Sequence, residues 1–153
     1  GERYDLRVVA SAKAGARVSD ALNDPSWEIP ETGGVLLVEL GGNDMLGNTN
    51  VGAFRSRLRT LLGRLNRRVS DRGGRVVVVG LPLPPLHAAY GRAQRDACRS
   101  AGVLLIPRHV LADVLFAPNA TIDSLHLSPS GHEAMAEAIW RQLGDCLPAA
   151  GQQ

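Results

Sequence analysis

The chain has 153 residues, 44% of them hydrophobic, which suits one domain with a buried core and excludes a chain that is disordered throughout. Seventeen basic residues against fifteen acidic ones give a net charge of +2, which argues against a dedicated nucleic-acid binder, although sixteen of the bases are arginine and eight of those fall between Arg55 and Arg75. The longest apolar runs, such as those at 35–38 and 76–79, are far short of the roughly 20 residues that cross a bilayer, so no membrane span is expected.

The chain opens on Gly1-Glu2-Arg3-Tyr4-Asp5 and enters a strand-like run at once, with neither a start methionine nor a signal segment, so a missing beginning is expected. Four short and nearly continuous apolar runs, 6–10, 35–40, 75–80 and 103–107, predict strands of a parallel sheet covered on both faces. Helices are expected between them. Residues 18–22 make a short one, and 51–72 carry Phe54, Leu58, Leu61, Leu62, Leu65 and Val69 at spacings of three and four. The Ala-rich stretch 88–100 ends before Gly102, and a last helix starts where Ser128 can cap it and Pro129 fits its first turn. Met135, Ala138, Ile139 and Leu143 form that helix's apolar stripe.

Strand and helix alternate throughout, which predicts a three-layer α/β/α fold and a single domain over residues 1–153. In such folds ligands bind outside the carboxyl ends of the strands, so the loops starting at Ser11, Gly41, Leu81 and Arg108 are the ones to examine. The run Leu81-Pro82-Leu83-Pro84-Pro85 predicts a rigid extended loop over that edge. Cys98 and Cys146 allow one disulfide but stand in no CxxC or Cys/His ligand set, so no structural zinc is indicated.

Three segments can carry chemistry. The run 35–40 leads straight into Gly41-Gly42-Asn43-Asp44, where glycines leave room for a substrate and the Asn43 amide can donate to a developing oxyanion. The same four residues also read as a tight turn with Asn43 left-handed. Asp123-Ser124-Leu125-His126 sets a carboxylate three residues before a histidine, as needed to orient a general base; it also reads as a loop-holding Asp beside a surface His. His132 competes for the base role, but lies inside the last helix. Gly15, in the small-residue loop after the first run, can present its N–H to an anion or serve as an ordinary loop glycine.

In their order and context these segments resemble the SGNH (GDSL) hydrolase family: strand, small loop and Gly15, then strand-Gly41-Gly42-Asn43-Asp44, then Asp123-x-x-His126 before the final helix. Val38-Glu39-Leu40-Gly41-Gly42-Asn43-Asp44 is similar to the bacterial arylesterase, thioesterase and lysophospholipase subgroup, and the likeness spans nearly the whole chain. The resemblance implies a flavodoxin-like sheet of order 2-1-3-4-5, with Gly15 and Asn43 as oxyanion donors, His126 as general base and Asp123 as its partner. It further implies a small acyl ester or thioester as substrate, no metal or organic cofactor, and a periplasmic or secreted setting.

The family's first block, Gly-Asp-Ser, occurs nowhere in the chain, and neither does a GxSxG elbow. The matching part begins at the family's second strand, so the central first strand and the nucleophile are expected from an N-terminal segment or separate chain. Ser11 is the best internal candidate, although it lacks the preceding Gly-Asp; Ser124 and Ser128 belong to the loop and cap around His126. Residues 45–50 and 81–89 are expected to line the acyl site. A catalytically silent binding module is the competing expectation, and a flavodoxin-like phosphate binder a third. The arginine cluster reads as a solvated helix face or as a contact for phosphate or an anionic surface. Six aromatic residues give little for a base-stacking platform.

Overall fold

The computed structural model describes residues 7–24, 33–82, 87–123 and 126–144. Along these the elements are α1 (Val18–Asn23), β1 (Val35–Val38), α2 (Gly42–Leu46), α3 (Val51–Ser70), β2 (Arg75–Val79), α4 (Ala88–Ala101), β3 (Leu104–Ile106), α5 (Arg108–Leu115) and α6 (Pro129–Leu143). The three strands form one parallel sheet in the order β1-β2-β3, with Leu36 opposite Val76 and Val78 opposite Leu105.

The all-valine run of β2 explains why the sheet is covered on both faces. Val76 and Val78 point into a core built with α1, α3 and α4, where Phe54, Leu58, Leu62 and Val18 are fully buried. Val77 and Val79 point the other way, onto Ile106, Val110, Leu111 and Leu143, with Met135, Ala138 and Ile139 of α6 packed alongside. The expected α/β/α layering and the α6 stripe are both present. Ser128 caps α6 as expected, its Oγ accepting the Gly131 N–H at 3.1 Å.

Three expectations fail. Residues 7–10 form no strand: Val8 and Val9 are 74% and 53% exposed, because an extended run without a neighbour gains no ladder hydrogen bonds, however apolar it is. The residues after Gly41 are not a bare turn but the short helix α2; Gly41 takes the left-handed backbone (φ 113°), and Asn43 is helical. Arg108 starts a helix rather than a loop. Val110, Leu111 and Val114 give α5 its buried side.

β1 pairs with β2 along one edge only, and among the described residues no strand lies against the other. The consequence is visible in burial: Leu37 is 40% exposed, where Val76 to Val79 of β2 are all buried. The segment Leu81-Pro82-Leu83-Pro84-Pro85 is described only at its first two residues, and Cys146 lies outside the described residues. Cys98 is a buried free thiol on α4.

Candidate active site

The Gly41-Gly42-Asn43-Asp44 turn is built by close packing. A Cβ at Gly41 would stand 3.0 Å from both the Leu81 Cδ1 and the Phe54 Cε2, in a backbone conformation that side chains rarely adopt. This sharp turn swings Asn43 and Asp44 back onto the loop that precedes α1. The Asn43 Nδ2 donates to the Ala16 carbonyl at 3.1 Å, and the Asp44 Oδ2 accepts the Val18 N–H at 2.8 Å. An amide nitrogen carries two hydrogens, so Asn43 retains one donor beyond Ala16. Gly15, with φ 72°, sits one residue before Ala16 and is exposed. Two of the expected donors therefore belong to one hydrogen-bonded unit.

Asp44 is fully buried, and its Oδ1 has no partner among the described residues. Thr49 Oγ1 and His87 Nδ1 share that condition. They are neighbours through Tyr90, whose hydroxyl donates to the Thr49 carbonyl and whose ring centroid lies 6.3 Å from that of His87. Gln94 ties α4 to the end of β2: its Oε1 accepts the Leu81 N–H at 3.1 Å and its Nε2 donates to the Val79 carbonyl at 3.0 Å. Sequence reasoning missed the anchoring roles of Asp44, Tyr90 and Gln94. A glutamine on the buried side of a helix was the one available signal, since a buried amide needs partners.

Asp123 and His126 meet as expected. A Thr121–Leu127 bridge and an Ile122 N–H to His126 carbonyl bond of 2.8 Å fold the segment back on itself. Within that fold the Asp123 carboxylate grips His126 twice, accepting its backbone N–H through Oδ1 and facing its ring Nδ1 through Oδ2, both at 2.7 Å. The dyad is open to solvent, with side-chain exposures of 74% for His126 and 55% for Asp123. The His126 Nε2 makes no hydrogen bond among the described residues, so the ring has one nitrogen oriented and one available. The loop rests on α6. Ser128 N–H bonds the Ala120 carbonyl at 2.9 Å, and Ser128 Oγ donates to Asn119 at 2.6 Å, which commits this hydroxyl to the cap.

His132 lies inside α6 as expected and is exposed there, and Ser11 is exposed in an irregular segment. No hydrogen bond joins the Gly15–Asn43 unit to the Asp123–His126 pair, and none joins a serine to the His126 ring, among the described residues; Ser124 lies outside them. Among the described residues, no three His, Cys, Asp or Glu side chains gather into a metal site, and no helix is long and apolar enough to cross a membrane.

Solved structures share this fold. TesA superposes with a TM-score of 0.62 at 22% identity, over 87% of this chain and 71% of that one. A Bacillus subtilis protein, YXIM, gives 0.62 at 18% identity, over 89% of this chain but only 45% of its own length. A variant of Axe2, an acetyl xylan esterase from Geobacillus stearothermophilus, gives 0.58 at 18% identity, over 88% of this chain and 71% of that one. Compared by sequence with curated proteins, the chain finds no match. A family model matches residues 1–134, the greater part of the chain, and on that match the chain belongs to the GDSL-like lipase/acylhydrolase family.

Proposed function

We propose that the chain is the larger part of a serine ester or thioester hydrolase, in which His126 is the general base and Asp123 its orienting partner. The 2.7 Å contact between Asp123 Oδ2 and His126 Nδ1 carries this reading, because it turns the free Nε2 into a proton acceptor of fixed direction. Family membership supports the reaction class. The nucleophilic serine comes from residues outside these 153, in a first strand that occupies the open edge of β1 within one domain. Two observations support this: no Gly-Asp-Ser occurs in the chain, and β1 exposes Leu37 where a covered parallel strand would bury it.

In the complete enzyme the serine Oγ attacks the acyl carbonyl as His126 Nε2 takes its proton. The oxyanion that forms is met by the Gly15 N–H and the remaining Asn43 Nδ2 hydrogen. Collapse breaks the bond to the alkoxide or thiolate, which leaves with the proton from His126. Water then attacks the acyl-serine by the same route, releasing the acid and restoring the serine.

Treating the protein, with the residues that precede Gly1, with a fluorophosphonate and mapping the labelled peptide tests the reading. The label is expected on a serine outside 1–153. A label on Ser11 overturns the external nucleophile. A catalytically silent binding module is the second reading; no label and no turnover of a short-chain nitrophenyl ester would select it.

A further inference from the structure

The arginine cluster has no part in the chemistry above, yet the fold concentrates it. α3 carries Arg55, Arg57, Arg59, Arg64, Arg67 and Arg68 with no acidic residue, and all six are exposed. α4 packs beside it and adds exposed Arg92, Arg95 and Arg99 against the single Asp96. Residues 51–101 hold eleven arginines and two aspartates, whereas the rest of the chain holds six basic and thirteen acidic residues. The small overall charge therefore hides a strongly divided molecule. Among the described residues Arg99 pairs with Asp96 at 3.9 Å, while none of the six on α3 pairs with an acid.

We propose that the outer face of α3 and α4 docks on a lipid surface rich in anionic headgroups. A groove of about 450 Å³ between the helices is lined by Arg55 and Arg59, by the hydroxyl-bearing Ser56 and Ser100, and by Asp96, whose charge Arg99 offsets; the two arginines and the hydroxyls are donors that suit phosphate oxygens. Along α3 the charge runs from Arg55 to Arg68, about 20 Å at 1.5 Å per residue, so it matches an extended anion rather than one small ligand. Phe54 and Tyr90, the aromatic residues of these two helices, are buried, so the face offers no base-stacking platform and a nucleic acid is the poorer match. A bilayer needs only the density of positive charge that is present.

The choice of a lipid surface rests on the ester-hydrolase reading, since lipids carry esters beside their phosphates. α3 follows β1 and α4 follows β2, so both begin at the carboxyl edge of the sheet, where Asn43 stands. A surface lying along them reaches that edge.

Co-sedimentation of the chain with vesicles of phosphatidylcholine, pure or with about one third phosphatidylglycerol, tests this without any turnover. Binding is expected only to the anionic vesicles, and it should fade as salt shortens the screening length. Replacing Arg55 and Arg59 together by Gln should weaken it about 25-fold, at roughly fivefold per arginine, with the circular dichroism unchanged. Arg108→Gln with Arg141→Gln removes the same charge from other helices and should leave binding intact.

Equal binding to neutral vesicles, no binding, or equal loss in both double variants would overturn the proposal. So would tighter binding of a DNA duplex at the same salt, or salt-sensitive self-association through the acidic remainder of the chain. An inactive chain can still bind, and an active enzyme can fail to, which keeps this test separate from that of the hydrolase reading.

Discussion

The Asp44 carboxylate reaches back 26 residues to accept the Val18 N–H at 2.8 Å, and in doing so fixes the Gly15 loop against the turn that carries Asn43. Asp44 is fully buried, so its removal leaves a buried donor at the start of α1 without a partner. Asp44→Ala should cost about 1–3 kcal/mol of unfolding free energy in a urea melt, and Asp44→Asn, which keeps an acceptor of the same shape, clearly less. Equal losses in the two variants would mean that the side chain fills space and does not hold the loop.

Gly41→Ala should destabilise through two independent effects. The left-handed backbone costs roughly 1–2 kcal/mol for a residue with a Cβ, and that Cβ would press on Phe54 and Leu81 at 3.0 Å. In a domain of this size a loss of about 2 kcal/mol lowers the melting temperature by roughly 4–8 °C. Gly63→Ala provides the opposite sign. Gly63 lies inside α3 with open space around a new Cβ and an ordinary backbone, so alanine should raise stability by about 0.5–1 kcal/mol.

The loop that holds the dyad depends on the absence of a side chain at Gly131, where a Cβ would stand 2.0 Å from the Ala120 carbonyl oxygen. That carbonyl also accepts the Ser128 N–H. Gly131→Ala must push the first turn of α6 away from the loop, so hydrogen exchange should quicken at the Ser128 and Ile122 amides while those of β2 stay protected. Unchanged exchange at Ser128 would show that the loop is held by other contacts.

Much of this arrangement is local, and those parts were legible. The Asp123-x-x-His126 spacing, the Ser128 cap and the stripes of α3 and α6 each depend on residues within a few positions of one another. The misses share a different cause. Residues 7–10 are apolar enough for a strand, but strand formation is decided by a neighbour that a local pattern does not encode. α2 is hidden behind Gly41 and Gly42, poor helix formers, of which Gly41 makes the turn that packs against Phe54 and Leu81. α5 is the exception, because Val110, Leu111 and Val114 carry helical spacing in the local sequence. The Asn43–Ala16 and Asp44–Val18 bonds span 27 and 26 residues, and only the folded sheet edge brings them together.

Cys98 should be inert in the native protein. Burial on α4 pushes its thiol from 9.0 to about 12, since the thiolate would have to form away from water. Ellman's reagent at pH 8 should modify Cys98 only after denaturant is added. The unfolded thiol ionises at lower pH than the folded one, so this group's contribution to stability is whole below pH 9 and is lost as pH rises toward 12. Cys98→Ala should accordingly flatten the fall in melting temperature across that window.

Asp123 supplies the sharpest test of the catalytic reading, because its two oxygens have different duties. Oδ1 accepts the His126 backbone N–H and Oδ2 faces the ring Nδ1. In Asp123→Asn one acceptor survives. If it stays on the backbone N–H, the new amide hydrogens face Nδ1 and force the ring proton onto Nε2, the atom that must accept from the serine. The loop keeps its shape while the base is lost, so kcat for a nitrophenyl ester in the complete enzyme should fall by about 10³–10⁴-fold with KM little changed. If the amide turns so that its oxygen faces Nδ1, the backbone N–H loses its partner and the loop loosens, which hydrogen exchange at His126 would report. A variant with full turnover and unaltered exchange would remove Asp123 from the mechanism.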